Sequence, residues 1–168
     1  VFSKEDYPKA ITVLRENGYL SNIPKIFHYN PVPSRHYPRL KKKNRICAIE
    51  IHNDLLKKKY ASDFNYSFVN KDSQVIEGIT VLSYVNKINL SILSYQINDN
   101  GFFFKTIALR NAYDVFLLSK ITNAKAAMNS LDKLNHILNC FLAACYEVFN
   151  KPESLEYNKT KKAASYLS

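Results

Sequence analysis

Residues 46–52 run Ile-Cys-Ala-Ile-Glu-Ile-His and alternate in a way that suits a strand. In extended backbone Glu50 and His52 share a face with Ile46 and Ala48, while Cys47, Ile49 and Ile51 take the other. An anionic side chain is costly to bury without a partner, so Glu50 belongs either to a solvated sheet face or to a functional cleft. His36 and Arg39 lie on the segment before it, flanked by Arg35 and Pro38. A hairpin brings His36 or Arg39 close to Glu50. Carboxylate, imidazole and guanidinium on one face are the groups that hold a metal ion and a polyphosphate. The same groups also form ordinary cross-strand charge pairs on a solvated face. Spacing leaves both readings open. Arg110 and Asp114 make a second pair, four residues apart on an apolar helical pattern, where they can bridge. His28 and His136 are isolated and read as surface or core histidines. No Ser/His/Asp or Cys/His constellation assembles.

The elements that must position these groups are mixed up to about residue 78 and helical beyond it. Residues 7–17 read as a helix with Asp6 as its cap, Pro8 in its first turn and Gly18 as its stop. Residues 23–29 read as a short strand broken by Pro31 and Pro33. Residues 34–40 and 45–52 read as two strands of a hairpin with a charged tip at 41–44. The basic stretch 54–60 reads as helix or loop. Apolar steps of three and four predict helices within 78–98, over 102–120 and over 123–149, with a turn at 98–101. The tail over 155–167 suits a short basic helix. The expected fold class is α+β: a small mixed or antiparallel sheet with flanking helices over residues 1–77, followed by a helical bundle over 78–168.

Composition narrows the chemistry further. The chain has 168 residues, 24 Lys and Arg against 14 Asp and Glu, and three glycines. No two glycines lie close enough for a phosphate-cradling loop, which excludes a P-loop, a dinucleotide fingerprint and a kinase-type loop. No apolar run is long enough to span a membrane. Cys47, Cys140 and Cys145 fit no zinc spacing and read as reduced, buried thiols of a cytoplasmic protein. Positive charge gathers at residues 41–45, 57–59 and 159–162. Such runs attract nucleotides, nucleic acid or acidic surfaces, or form a solvated lysine-rich surface. The aromatic residues do not interleave with them as in an RNA-recognition motif.

The order of these features resembles an uncharacterised bacterial nucleotidyltransferase-like family of the polymerase-beta-type nucleotidyltransferase superfamily. The resemblance rests on a helix ending in Glu16-Asn17-Gly18-Tyr19, the segment Arg35-His36-Tyr37-Pro38-Arg39-Leu40, the strand Ile49-Glu50-Ile51-His52-Asn53-Asp54, and the later helix Leu109-Arg110-Asn111-Ala112-Tyr113-Asp114. It covers roughly residues 1–120. It implies a nucleotidyltransferase-like α/β portion and Mg²⁺-dependent transfer of a nucleotidyl group from a nucleoside triphosphate to a hydroxyl acceptor. Glu50 would be the catalytic carboxylate and Mg²⁺ ligand. His36, Arg39, His52, Arg110 and Asp114 would line the nucleotide site. The family's Gly-Ser and Asp-x-Asp motifs would precede the first helix and are absent from a chain that begins at Val1. The expectation is therefore a chain inactive by itself, either lacking an upstream segment or degenerate. The alternative is a non-catalytic basic binding module for a protein or nucleic-acid partner.

Overall fold

The computed structural model describes residues 1–21 and 35–168. The expected strand over 23–29, with Pro31, Pro33 and His28, lies outside the described residues. Helix α1 spans Asp6–Glu16. Its entry is held by Ser3, not Asp6: Ser3 Oγ accepts from the Asp6 N–H at 3.0 Å and donates to Asp6 Oδ2 at 2.7 Å. Its exit follows expectation. Gly18 has φ +82°, its N–H donates to Arg15 O, and the Tyr19 N–H donates to Leu14 O, each at 3.0 Å. This paired closure needs a left-handed residue, which glycine supplies without a Cβ clash. No residue of α1 is buried.

Strand β1 (Leu20–Ser21) pairs antiparallel with β2 (Leu40–Lys41). The expected hairpin over 34–52 is present as a sparse ladder in place of two full strands. His36 opposes His52 and Leu40 opposes Ile49. Four steps on the first segment therefore match three on the second, which places a bulge on the Pro38 side. Proline has no N–H to give a ladder, so a bulge there removes the mismatch. The ladder closes through Leu40–Ile49 hydrogen bonds of 2.9 Å in both directions and Tyr37 N–H to Ile51 O at 2.8 Å. Ile51 is buried and Ile49 half-buried, as the alternation predicts, but Cys47 is exposed. It sits two residues beyond the Leu40–Ile49 bridge. The expectation that all three thiols are buried is corrected at this position.

After a 3₁₀ turn at Lys58–Tyr60 and the short helix α2 (Tyr66–Asn70), strands β3 (Gln74–Ile76) and β4 (Ile79–Val81) form a hairpin that the helical pattern did not foretell. Its turn residues Glu77 and Gly78 both have positive φ, 49° and 77°, as a tight primed hairpin turn requires. The 77/78 boundary drawn from composition falls in that turn, between paired strands.

Helix α3 (Tyr84–Leu93) starts at Ser83, whose Oγ accepts from the Asn86 N–H at 3.2 Å, and runs into a π-helical turn at Ser94–Asn98. The helix expected over 102–120 is two: α4 (Gly101–Phe104) and α5 (Leu109–Ser119). Lys105 adopts φ 52° between them and ends the first. The helix expected over 123–149 is likewise divided, into α6 (Ala124–Asn129) and α7 (Asn135–Val148), with a 3₁₀ turn at Asp132–Leu134 between them. Leu131 and Leu134 stay buried all the same, because a tight turn holds the three-residue spacing as well as a helix does. The tail forms a 3₁₀ turn at Glu153–Leu155 and helix α8 (Lys161–Leu167), capped by Thr160 Oγ1.

The core gathers Leu55, Leu56, Phe64 and Val69 with Ile88, Ile92, Leu93, Val115, Met128, Leu138, Phe141 and Leu142. Segment 55–69 is thus built into the helical core. The described residues make a mixed α+β fold with two small, separate antiparallel two-stranded sheets. Among the described residues no helix is long and apolar enough to cross a membrane.

Candidate functional site

The bulged ladder brings four of the sequence-selected residues together. Pairing of His36 with His52 places their rings 5.2 Å apart. The bulge turns Arg39 toward Glu50. Its Nε and Nη2 both donate to Glu50 Oε1, at 2.8 and 2.6 Å. The other carboxylate oxygen, Oε2, lies 3.7 Å from His52 Nε2. His36 Nδ1 is 3.1 Å from Tyr37 O. Backbone hydrogen bonds hold the far end: Asn53 and Asp54 N–H donate to Arg35 O, and Phe2 N–H donates to His52 O. Arg35 reaches Leu55 O at 3.4 Å, joining the ladder to a residue of the helical core.

The electrostatics follow from this arrangement. The hydrogen bonds from Arg39 hold the Glu50 carboxyl below its ordinary range, against a smaller opposing effect of burial, with the charges of Arg39, His36 and His52 adding to the lowering. Partial burial holds His52 below the ordinary imidazole value, and the nearby cations Arg35 and His36 push the same way; Glu50 opposes them. Glu50 is therefore an ionised, cation-bound carboxylate beside an imidazole that resists protonation. A carboxylate held ionised in this way does not serve as a general acid.

Arg110 and Asp114 stand apart. Both are exposed on α5, which packs against α3 and α6. Among the described residues no hydrogen bond or ion pair joins them to each other or to the ladder. A cleft of 690 Å³ lined by Ser3, Asn53, Asp54, Ser62, Asn65 and Tyr66 opens near the ladder's end, but His36, Arg39, Glu50 and His52 do not line it. No group of three His, Cys, Asp or Glu side chains fit to hold a metal ion occurs among the described residues.

What surrounds the cluster is positive charge. Residues 35–59 carry nine Lys and Arg (35, 39, 41, 42, 43, 45, 57, 58 and 59) against two acids, Glu50 and Asp54, a net +7 of the chain's +10. One ion pair with a carboxylate is made by these nine among the described residues, Arg39–Glu50. Lys41, Lys43, Arg45, Lys58 and Lys59 are exposed. Lys42 lies 5.7 Å above the Tyr19 ring, which ties the tip to the end of α1. Lys159, Lys161 and Lys162 of the run 159–162 are exposed as well, at the start of α8, whose Ala163 and Tyr166 pack inward. The sequence runs pointed to the tip and to 57–59. They did not show that segment 55–57 brings both onto one anchored stretch, through Asn98, whose Nδ2 donates to Leu55 O and whose Oδ1 accepts from the Lys57 N–H, each at 3.0 Å. No family model, no curated protein and no solved structure matches this chain.

Proposed function

We propose that this protein is a non-catalytic binding module that engages the phosphodiester backbone of a nucleic acid through residues 35–59. The observation that carries the reading is the concentration of seven of ten net positive charges in 25 contiguous residues, with a single acid neutralised within them. Exposed lysines and arginines on a backbone pinned by a ladder and by Asn98 present fixed cations to phosphates and release the counterions condensed on the strand. The support is for backbone contact, because the exposed side chains that carry the reading are cations, which meet phosphates.

The test is fluorescence anisotropy of a short labelled single-stranded RNA across a salt series. Engagement of five phosphates, one for each exposed cation named above, gives a log–log slope near −3.5 and a loss of about 100-fold in affinity between about 50 and 200 mM salt. The triple variant Lys41→Glu, Lys43→Glu, Arg45→Glu should lose binding with its circular dichroism unchanged. Absence of binding at low salt, or a triple variant that binds like the parent, would sink the proposal.

Mg²⁺-dependent nucleotidyl transfer from a nucleoside triphosphate is the second reading, favoured by the gathering of His36, Arg39, Glu50 and His52. The described residues do not fit a two-ion centre: the cluster has one carboxylate, and two Arg39 N–H groups occupy one of its oxygens. Calorimetric titration with ATP and Mg²⁺ separates the readings. Magnesium-dependent heat that vanishes in Glu50→Gln would favour transfer.

A further inference from the structure

Helix α5 packs Ala112, Val115 and Ser119 inward. On its outer side Leu109, Tyr113 and Leu117 recur every fourth residue and remain 68%, 53% and 41% exposed, and Ile121, 62% exposed, follows in the turn just beyond the helix end. Side chains four apart stack into one stripe on a helix. Together they offer on the order of 400 Å² of largely apolar surface, the size of the largest patch on an ordinary monomer and of the kind that marks an interaction site. Arg110 and Asp114 each follow a stripe residue by one position, so they share one flank. Both are exposed, and no ion pair joins them among the described residues.

We propose that α5 is the self-association surface of this protein, meeting the α5 of a second copy antiparallel across a two-fold axis near Tyr113. An isologous contact needs a self-complementary patch, and α5 is one. Antiparallel pairing about Tyr113 sets Leu109 opposite Leu117 of the other copy and lets the two Tyr113 rings meet. In that geometry residues on one flank meet the same flank of the partner. Arg110 of each copy then approaches Asp114 of the other, and the two ion pairs are related by the axis. The two charges, joined by no ion pair among the described residues of one chain, meet between chains. Burial of both stripes removes about 800 Å² from water, below the roughly 1,200 Å² of standard stable complexes, so the dimer is weak and transient. A dimer also doubles the number of ladder tips carried by one particle.

Sedimentation equilibrium through the micromolar range tests this. The parent chain should associate with concentration. Tyr113→Glu should be monomeric, with unchanged circular dichroism and thermal midpoint, since its side chain is outside the core. Arg110→Asp and Asp114→Arg should each weaken association about tenfold, by placing like charges across the axis. The decisive arm mixes these two variants. One then carries two acids on its flank and the other two arginines, so the equimolar mixture should associate more tightly than either alone. A parent that stays monomeric throughout, association untouched by Tyr113→Glu, or a mixture no tighter than its components would each overturn the proposal.

Discussion

Replacing Gly101 with alanine should destabilise this protein, against the sign that helix propensity alone gives. Gly101 opens α4 after Asp99 and Asn100, which follow the π-helical turn, and its Cα faces Tyr95 and Gln96 of that turn. A Cβ there would lie 2.5 Å from Tyr95 Cε1, 2.6 Å from Tyr95 Cδ1 and 2.9 Å from Gln96 Nε2. Neither side chain is free to yield. Tyr95 hydroxyl is 3.2 Å from Thr106 Oγ1, and Gln96 Nε2 donates to Thr106 O at 2.8 Å. The Tyr166 hydroxyl is 3.0 Å from Gln96 Oε1 and 2.9 Å from Thr106 O, so α8 is held by the same knot. Overpacking of this kind costs about 1–3 kcal/mol, and one lost hydrogen bond adds about 1 kcal/mol. Alanine returns at most about 1 kcal/mol of propensity. The expected net loss is about 1–3 kcal/mol, or a fall in thermal midpoint of about 3–10 °C for a chain of this size. Thermal unfolding followed by circular dichroism measures it. A midpoint unchanged or raised in Gly101→Ala would refute the account of the knot.

Further outcomes follow from the same structure. An aromatic disulfide reagent should consume one thiol equivalent rapidly in the native protein, from exposed Cys47, and two more after denaturation, because Cys140 and Cys145 are buried and the Cys145 pKa is pushed to about 12. Rapid reaction of more than one equivalent would contradict the packing of α7. The Arg39–Glu50 pair should contribute less than about 1 kcal/mol, since Arg39 is largely exposed. Because the Glu50 carboxyl is lowered from 4.5, that contribution is present above pH 4.5 and is lost as pH falls below it. Urea midpoints against pH should therefore fall less steeply below 4.5 in Glu50→Gln than in the parent, and identical slopes would discount the pair. His52 is lowered from 6.5, so its share of stability is complete above 6.5 and declines as pH drops below it; His52→Gln should flatten that part of the same curve, and an unchanged curve there would discount its burial.

The meeting of Arg39 with Glu50 was legible because period-two alternation and antiparallel pairing leave few alternatives for a charged residue opposite another. The bulge that completes it was not, since a missing N–H at Pro38 tells where a ladder is weak but not how its register slips. The breaks at Lys105 and at 130–134 were hidden for a different reason. Apolar spacing of three and four persists through both, and a lysine at φ 52° carries no composition signal. The β3–β4 hairpin did leave a trace, in Gly78 between the β-branched pairs Val75-Ile76 and Ile79-Thr80. Glu77 in place of the usual Asn or Asp before the glycine obscured it. Buried Asn86, Asn89 and Gln96 could not be foreseen, because polar residues at core positions depend on partners distant in sequence. Gln96, for instance, meets Thr106 and Tyr166.

The π-helical turn at Ser94–Asn98 gives the helix one residue of extra phase. Deleting a single residue there would close the turn to a regular helix and shift the residues within it by one position against their partners. Asn98 would then point away from Leu55 and Lys57, and Gln96 from Thr106. Length is thus constrained at this turn more tightly than identity: a conservative exchange of one side chain leaves the clasp on segment 55–57 in phase, while the shortest possible deletion uncouples the cationic stretch from the helical core.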